Sequence, residues 1–167
     1  MEKIISGRAS VFGSNIDTDQ IYPGRFLSET DPDDVKRHAM AGADPDFAEN
    51  FQPGGLIVAG TNFGCGSSRE HAAVALKAAG VSAVVAESFA RIFFRNGVNL
   101  GIPLVTCAGV SQKVKDGDRL VLDLSRSLLK NETSGEELPC EPVGDYALTI
   151  LEAGGIKLLL KELYGRR

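Results

Sequence analysis

Apolar positions along this chain follow two rhythms. Leu56-Ile57-Val58-Ala59, Ala83-Val84-Val85-Ala86 and Pro103-Leu104-Val105-Thr106 are short runs bounded by glycine or polar residues. Runs of this length predict strands covered on both faces. Between them the spacing turns helical. Residues 69–79 predict a helix stopped by Gly80, and a second helix, with Ser88 as its N-cap, runs through Phe94 and Arg95. Phe89, Ile92 and Phe93 have the spacing of that helix's core face. Strand, helix, strand, helix, strand implies right-handed crossovers and a parallel sheet.

The flanks are more broken. Residues 4–12 alternate loosely and predict an opening strand ended at Gly13-Ser14-Asn15. Residues 15–29, NIDTDQIYPGRFLSE, keep neither period, so a long irregular connection is expected; its Ile, Tyr, Phe and Leu argue for order and a functional role. Thr30-Asp31-Pro32-Asp33 starts a short helix through Met40 with a stop at Gly42, and residues 43–55 read as loop or a broken helical turn. Residues 119–124, 127–130 and a segment near Leu138 predict short β pieces. A final helix over residues 156–164 follows Gly154-Gly155. The expected fold is α/β: three layers, with a mostly parallel core sheet flanked by helices and a small β extension, in a single domain over residues 1–167.

Composition narrows the function. A formal net charge of −4, with Lys and Arg scattered, offers no footprint for nucleic acid or an anionic membrane. No window reaches the roughly 18 apolar residues of a membrane span, and residues 1–13 lack the apolar core of a secretion signal, which predicts a cytoplasmic protein. Cys65, Cys107 and Cys140 are widely separated, without a CxxC, and the histidines are only His38 and His71. A metal site built by this chain alone is not expected.

Chemistry concentrates in residues 60–72, GTNFGCGSSREHA, where glycines and serines lie between a buried strand and a helix. Glycines allow the backbone to approach a ligand closely, and a helix N-terminus offers free N–H groups, so a carboxylate or phosphate is the natural partner. Ser67 and Glu70 also satisfy a capping box, which would make them structural. Arg69 in the first turn opposes the helix dipole, which points to an anionic ligand held by a forked cation. A rival reading makes Cys65 a thiolate nucleophile with His71 as base, although His71 reads better as a packed residue. A carboxylate-binding module without catalysis is a third reading. Arg91 and Arg95 read as a solvated or Glu87-paired stripe.

Taken together and in order, NIDTDQIYPGRFL, the GxNxGxGSSRE pattern and AESFARIFFRNGVNLGI resemble the swivelling domain of the aconitase superfamily. More narrowly, the chain resembles the free-standing small subunits of the 3-isopropylmalate dehydratase type, from about Gly7 to Leu160. The resemblance implies a hydro-lyase that interconverts 2-isopropylmalate and 3-isopropylmalate by dehydration and rehydration in leucine biosynthesis. It also implies a large-subunit partner that carries a 4Fe–4S cluster and binds the dicarboxylic hydroxy-acid, while this chain closes over the site. By the same resemblance Ser67 is the base that removes a proton α to a carboxylate, and Ser68 and Arg69 hold the substrate carboxylate.

The matching upstream loop would face the variable side of the substrate with Asp19, Tyr22, Arg25, Phe26 and Leu27. Tyr22, Phe26 and Leu27 suit a branched alkyl group, and Ser28-Glu29 disfavours an anionic tail. Dimethylmalate, methylmalate or citraconate, and homoaconitate remain alternatives. Arg25 either reaches a carboxylate or pairs with Asp17 or Asp19; pairing is the preferred reading. Turning a serine into a base means lowering its pKa by about six units, or roughly 8 kcal/mol, whereas a helix dipole gives only about 0.3–2 kcal/mol. Ser67 is therefore expected to be inert in the isolated chain. Contact with a large subunit implies an apolar patch over residues 22–27 and around Phe63, through which the isolated chain would self-associate.

Overall fold

A computed structural model describes residues 3–165 of the chain. β1 (Ile4–Val11) leads into α1 (Thr18–Ile21), a 3-10 turn over Gly24–Phe26, α2 (Pro32–Lys36) and α3 (Phe47–Asn50). β2 (Leu56–Ala59), α4 (Glu70–Ala79), β3 (Ala83–Ala86), α5 (Arg91–Asn99) and β4 (Leu104–Thr106) follow. α6 (Val110–Lys113) precedes β5 (Arg119–Asp123), β6 (Leu128–Asn131) and β7 (Glu137–Pro139), and α7 (Asp145–Ala153) and α8 (Ile156–Tyr164) close the chain.

The seven strands among the described residues join one sheet in the order β4-β3-β2-β1-β5-β6-β7. The β4 to β1 half is parallel, while β1–β5, β5–β6 and β6–β7 are antiparallel. The expected parallel core and β extension are thus both present, joined at β1.

The unbroken apolar runs have a physical reason. Successive strand residues face opposite sides of the sheet. Ile57, Ala59, Val84 and Ala86 enter one core, shared with Ile21, Val35, Ala72, Leu76 and Phe93 from the helices. Leu56, Val58, Ala83 and Val85 enter a second core with Val110, Leu120, Leu122 and Leu129. A polar residue at either phase would be stranded without a partner.

α4 lies against the sheet through Ala72, Ala73, Ala75 and Leu76 and ends at left-handed Gly80, where φ is 85°, as its sequence predicts. Its start differs. Arg69 is the N-cap residue, no side chain caps the helix, and the capping box expected from Ser67 and Glu70 does not form. Ser88 likewise does not cap α5, which starts after Ala90; its hydroxyl accepts a hydrogen bond from the Asn62 N–H at 2.7 Å instead. Phe93 is buried as the core spacing requires, but Ile92 is 46% exposed. Glu87 accepts from the Gly109 N–H and the Ser111 hydroxyl rather than from Arg91 or Arg95, both of which are exposed. α2 stops at Lys36, short of the expected Met40, whose φ of 58° is incompatible with a continuing helix.

Candidate functional site

Three segments meet beyond the carboxyl ends of the parallel strands, where open α/β sheets generally bind their ligands. They are residues 14–19 after β1, 60–69 after β2 and 87–91 after β3. The middle segment is tied to both neighbours by its backbone. The Phe63 N–H donates to the Ser88 carbonyl at 3.1 Å, and the Ala90 N–H donates to the Phe63 carbonyl at 2.9 Å. On the other side, the Gly64 N–H donates to Ile16 at 2.7 Å and the Thr18 N–H to Cys65 at 2.9 Å. The resulting single bridges, Phe63 to Phe89 and Asp17 to Cys65, carry the sheet one step further than its strands.

Glycine is required in this turn for two separate reasons. Gly64 has a φ of +86°, and a Cβ there would run into the ring of Phe93, which itself packs edge-on against Phe63 at 5.3 Å. Gly66 has a φ of +95°, and a Cβ there would make only ordinary contacts, the nearest with the Cβ of Asp17 at 3.5 Å. The first glycine seats the turn on the core, and the second reverses it toward solvent just before Ser67.

Ser67 and Ser68 are exposed. The Thr18 hydroxyl donates to the Ser67 carbonyl at 3.0 Å and lies 3.3 Å from Ser67 Oγ. The same carbonyl accepts from the Arg69 N–H at 2.9 Å. Thr18 is only 3% exposed, and nothing in its sequence neighbourhood marks it as a site residue. The available signal is the box around it: the Asp17 carboxylate accepts from the Gln20 N–H at 2.7 Å, while the Gln20 side-chain oxygen accepts from the Asp17 N–H at 3.0 Å. That box makes α1 and turns Thr18 inward. The loop expected to be irregular is therefore partly helical, although one turn is too short to show a period.

Arg69 reaches across to the same segment. Its Nη1 donates to Asp19 Oδ1 at 2.7 Å and to the Tyr22 carbonyl at 3.4 Å. The Gly24 N–H also donates to Asp19 Oδ1, at 2.8 Å. The Arg69 hydrogen bond, followed by that of Gly24, holds the Asp19 carboxyl below the 3.8 of a free Asp side chain. Arg69, Ser67, Ser68 and Thr18 line a cleft of about 210 Å³ with Ile92 and Asn96 of α5. A larger cleft of about 620 Å³ lies at the other end of the strands, beside Arg8, Gln52 and Arg119. It contains none of the glycine turn, so its size does not outweigh the chemistry of the smaller one.

The rest of the upstream loop departs from expectation. Tyr22 is fully buried, donates its hydroxyl to the Phe26 carbonyl at 2.7 Å and stacks on His71 at 5.7 Å, so it lines no open surface. His71 is packed, as its sequence position suggests, and among the described residues no hydrogen bond joins it to Cys65. Phe26 stacks on His38 at 3.5 Å, and Leu27 is exposed. Arg25 does not form its expected ion pair: Asp17 caps α1, Asp19 is held by Arg69, and the Arg25 guanidinium sits 4.7 Å over the Phe26 ring. Of the apolar patch expected over residues 22–27 and around Phe63, Leu27 alone among the large apolar side chains is well exposed, while Tyr22 and Phe63 are fully buried in the core.

The Aconitase C-terminal domain family matches residues 4–108. A 3-isopropylmalate dehydratase small subunit from Methanopyrus kandleri is 54% identical over 161 residues, 96% of this chain and 95% of the relative. The chain belongs to the Aconitase C-terminal domain family. Within it, an isopropylmalate/citramalate isomerase small subunit from Methanocaldococcus jannaschii is 51% identical over 97% of this chain and 96% of its own length. A methanogen homoaconitase small subunit from Methanothermobacter thermautotrophicus is also 51% identical, over 93% and 90%. A crystal structure of a 3-isopropylmalate dehydratase from Methanocaldococcus jannaschii superposes with a TM-score of 0.92 at 43% identity, covering 96% of this chain and 95% of that one.

Family relatives are named as small subunits, which implies a large-subunit partner. The described residues offer no ligand set for the iron–sulfur cluster implied by the resemblance. Among the described residues no three His, Cys, Asp or Glu side chains gather into a metal-ligating group. Cys107 and Cys140 lie together beyond β4 and β7, away from Cys65 in the turn. No helix among the described residues is long and apolar enough to cross a membrane.

Proposed function

We propose that this chain is the small subunit of a heteromeric hydro-lyase that interconverts 2-isopropylmalate and 3-isopropylmalate, with Ser67 as its catalytic base. The observation that carries the reading is the placement of Ser67 and Arg69 in one open cleft, on a turn whose backbone is tied to the sheet on both sides. Arg69, with Nη1 paired to Asp19, presents its remaining N–H groups to one substrate carboxylate, with Ser68 beside it as a hydroxyl donor, and Ser67 Oγ, as the alkoxide, takes the proton α to that carboxylate and becomes the hydroxyl. Among the described residues the hydrogen-bond partner of Ser67 Oγ is the Thr18 hydroxyl, which does not act as a base. The remaining activation is assigned to the partner, whose closure excludes water and strengthens every charge in the cleft. The 4Fe–4S cluster is assigned to the large subunit as well. What this chain contributes is the carboxylate grip and the base. A cytoplasmic location goes with this reading.

One observation favours a second substrate. Arg25 is exposed and has no acid partner within ion-pair distance among the described residues, so it is free to meet a distal carboxylate. Such a carboxylate belongs to homoaconitate rather than to an alkylmalate, and a relative of nearly equal identity carries that name. The test is kcat/KM of the purified two-subunit complex for hydration of 2-isopropylmaleate, citraconate and homoaconitate, with and without Arg25→Ala. Our reading expects 2-isopropylmaleate to lead by about tenfold or more, and Arg25→Ala to change that rate less than about threefold. Preference for homoaconitate, lost in Arg25→Ala, would replace it with the second substrate.

A further inference from the structure

Ile92 is an apolar residue at core spacing on α5 that the fold leaves outside the core. Phe93, one residue on, is 3% exposed, whereas Ile92 is 46% exposed on the wall of the cleft that holds Ser67. Arg95, one turn further, is exposed on the same helix and has no acidic partner within 4 Å among the described residues. Arg91 lines both this cleft and a neighbouring one that also contains Glu87 and Glu141, but it forms no ion pair with either. Exposed apolar and arginine side chains side by side are the composition of an interface centre rather than of ordinary surface. We infer that the exposed face of α5, centred on Ile92 and Arg95, is where the large subunit docks, its matching surface being an apolar socket edged by carboxylates.

The occupant follows from continuity. The inference rests on the hydro-lyase reading, in which a second subunit must cover Ser67 to exclude water. Ile92 and Ser67 line the same cleft and both are exposed, so a surface that covers the serine covers Ile92 with it. A second copy of this chain fits less well, because isologous contact would set Arg95 and Arg91 against their own symmetry mates. Burial of Ile92 gives the contact its apolar anchor, and Arg95 supplies attraction at longer range.

The experiment measures the affinity of this chain for its purified large subunit by calorimetry, and its association rate at two salt concentrations. The variants are Ile92→Asp and Arg95→Glu, with Arg8→Glu in the far cleft as a matched charge control. Because Ile92 and Arg95 are exposed, both variants should keep the wild-type thermal midpoint, checked by circular dichroism. The inference expects Ile92→Asp to weaken binding by about 30-fold or more. It expects Arg95→Glu to slow association about tenfold and to remove much of its salt dependence, while Arg8→Glu binds as wild type does. Wild-type affinity in both α5 variants would overturn the docking surface and leave the hydro-lyase reading standing. Absence of any complex with the wild-type chain would overturn both, and self-association that vanishes in Ile92→Asp would replace the large subunit with a second copy.

Discussion

Thr18 directs its hydroxyl to the Ser67 carbonyl from a buried position, and this contact fixes where Ser67 Oγ stands relative to the cleft. Thr18→Val keeps the shape and removes the donor. It should lower kcat of the complex about tenfold with KM little changed, since the energy of one hydrogen bond is at stake, and Thr18→Ser should restore the rate. Asp19 acts on the neighbouring cation. Its carboxyl is held below 3.8 by Arg69 and then Gly24, so the pair is intact at neutral pH and is lost only as pH falls through the lowered value. Carboxyl NMR should show Asp19 titrating below 3.8 in the wild type and moving upward in Arg69→Ala. A value unmoved by that substitution would mean that the pair does not orient Arg69.

At the scale of elements, the glycine turn sorts its own mutations. Gly64→Ala combines a left-handed φ with a collision against Phe93, and should cost at least about 2 kcal/mol in a denaturant melt. Gly66→Ala meets only the backbone cost, about 1 kcal/mol, because a Cβ there makes only ordinary contacts. Equal losses at both positions would contradict the packing described for the turn. The strands and α4 were legible from sequence because a strand buried on both faces must be apolar at every position, and because Gly80 marks a left-handed stop. α1 was not: a helix of one turn has no period, and only the Asp17 and Gln20 box announces it. The same shortness hid Thr18. Arg69 was read as pointing to an anionic ligand; it stands at the N-cap of α4, and Asp19, a residue of the chain itself, already pairs with it. Ser67 and Ser88, each read as a possible cap, cap neither α4 nor α5, because both lie in segments tied into the turn, where backbone bridges override local capping.

At the scale of the molecule, the sheet puts three loops at one end and leaves the site half built. One wall is the glycine turn, the other is α5, and the side facing solvent is open. Small-subunit relatives imply a large-subunit partner, and in the function proposed above that partner covers the open side. An apolar patch was expected over residues 22–27 and around Phe63; Tyr22 and Phe63 went into the core, Leu27 stayed exposed, and Ile92, expected in the core, came out. Spacing alone does not distinguish the two outcomes, because an interface residue and a core residue obey the same periodicity. The central claim is that Ser67 is the base of a two-subunit enzyme. Its most direct test is the rate of 2-isopropylmaleate hydration by the purified complex, measured anaerobically for wild type, Ser67→Ala and Cys65→Ala at equal complex concentration. The account predicts a fall of about 100-fold or more for Ser67→Ala with assembly intact, and a change within about threefold for Cys65→Ala; Ser67→Ala turning over at the wild-type rate would contradict it.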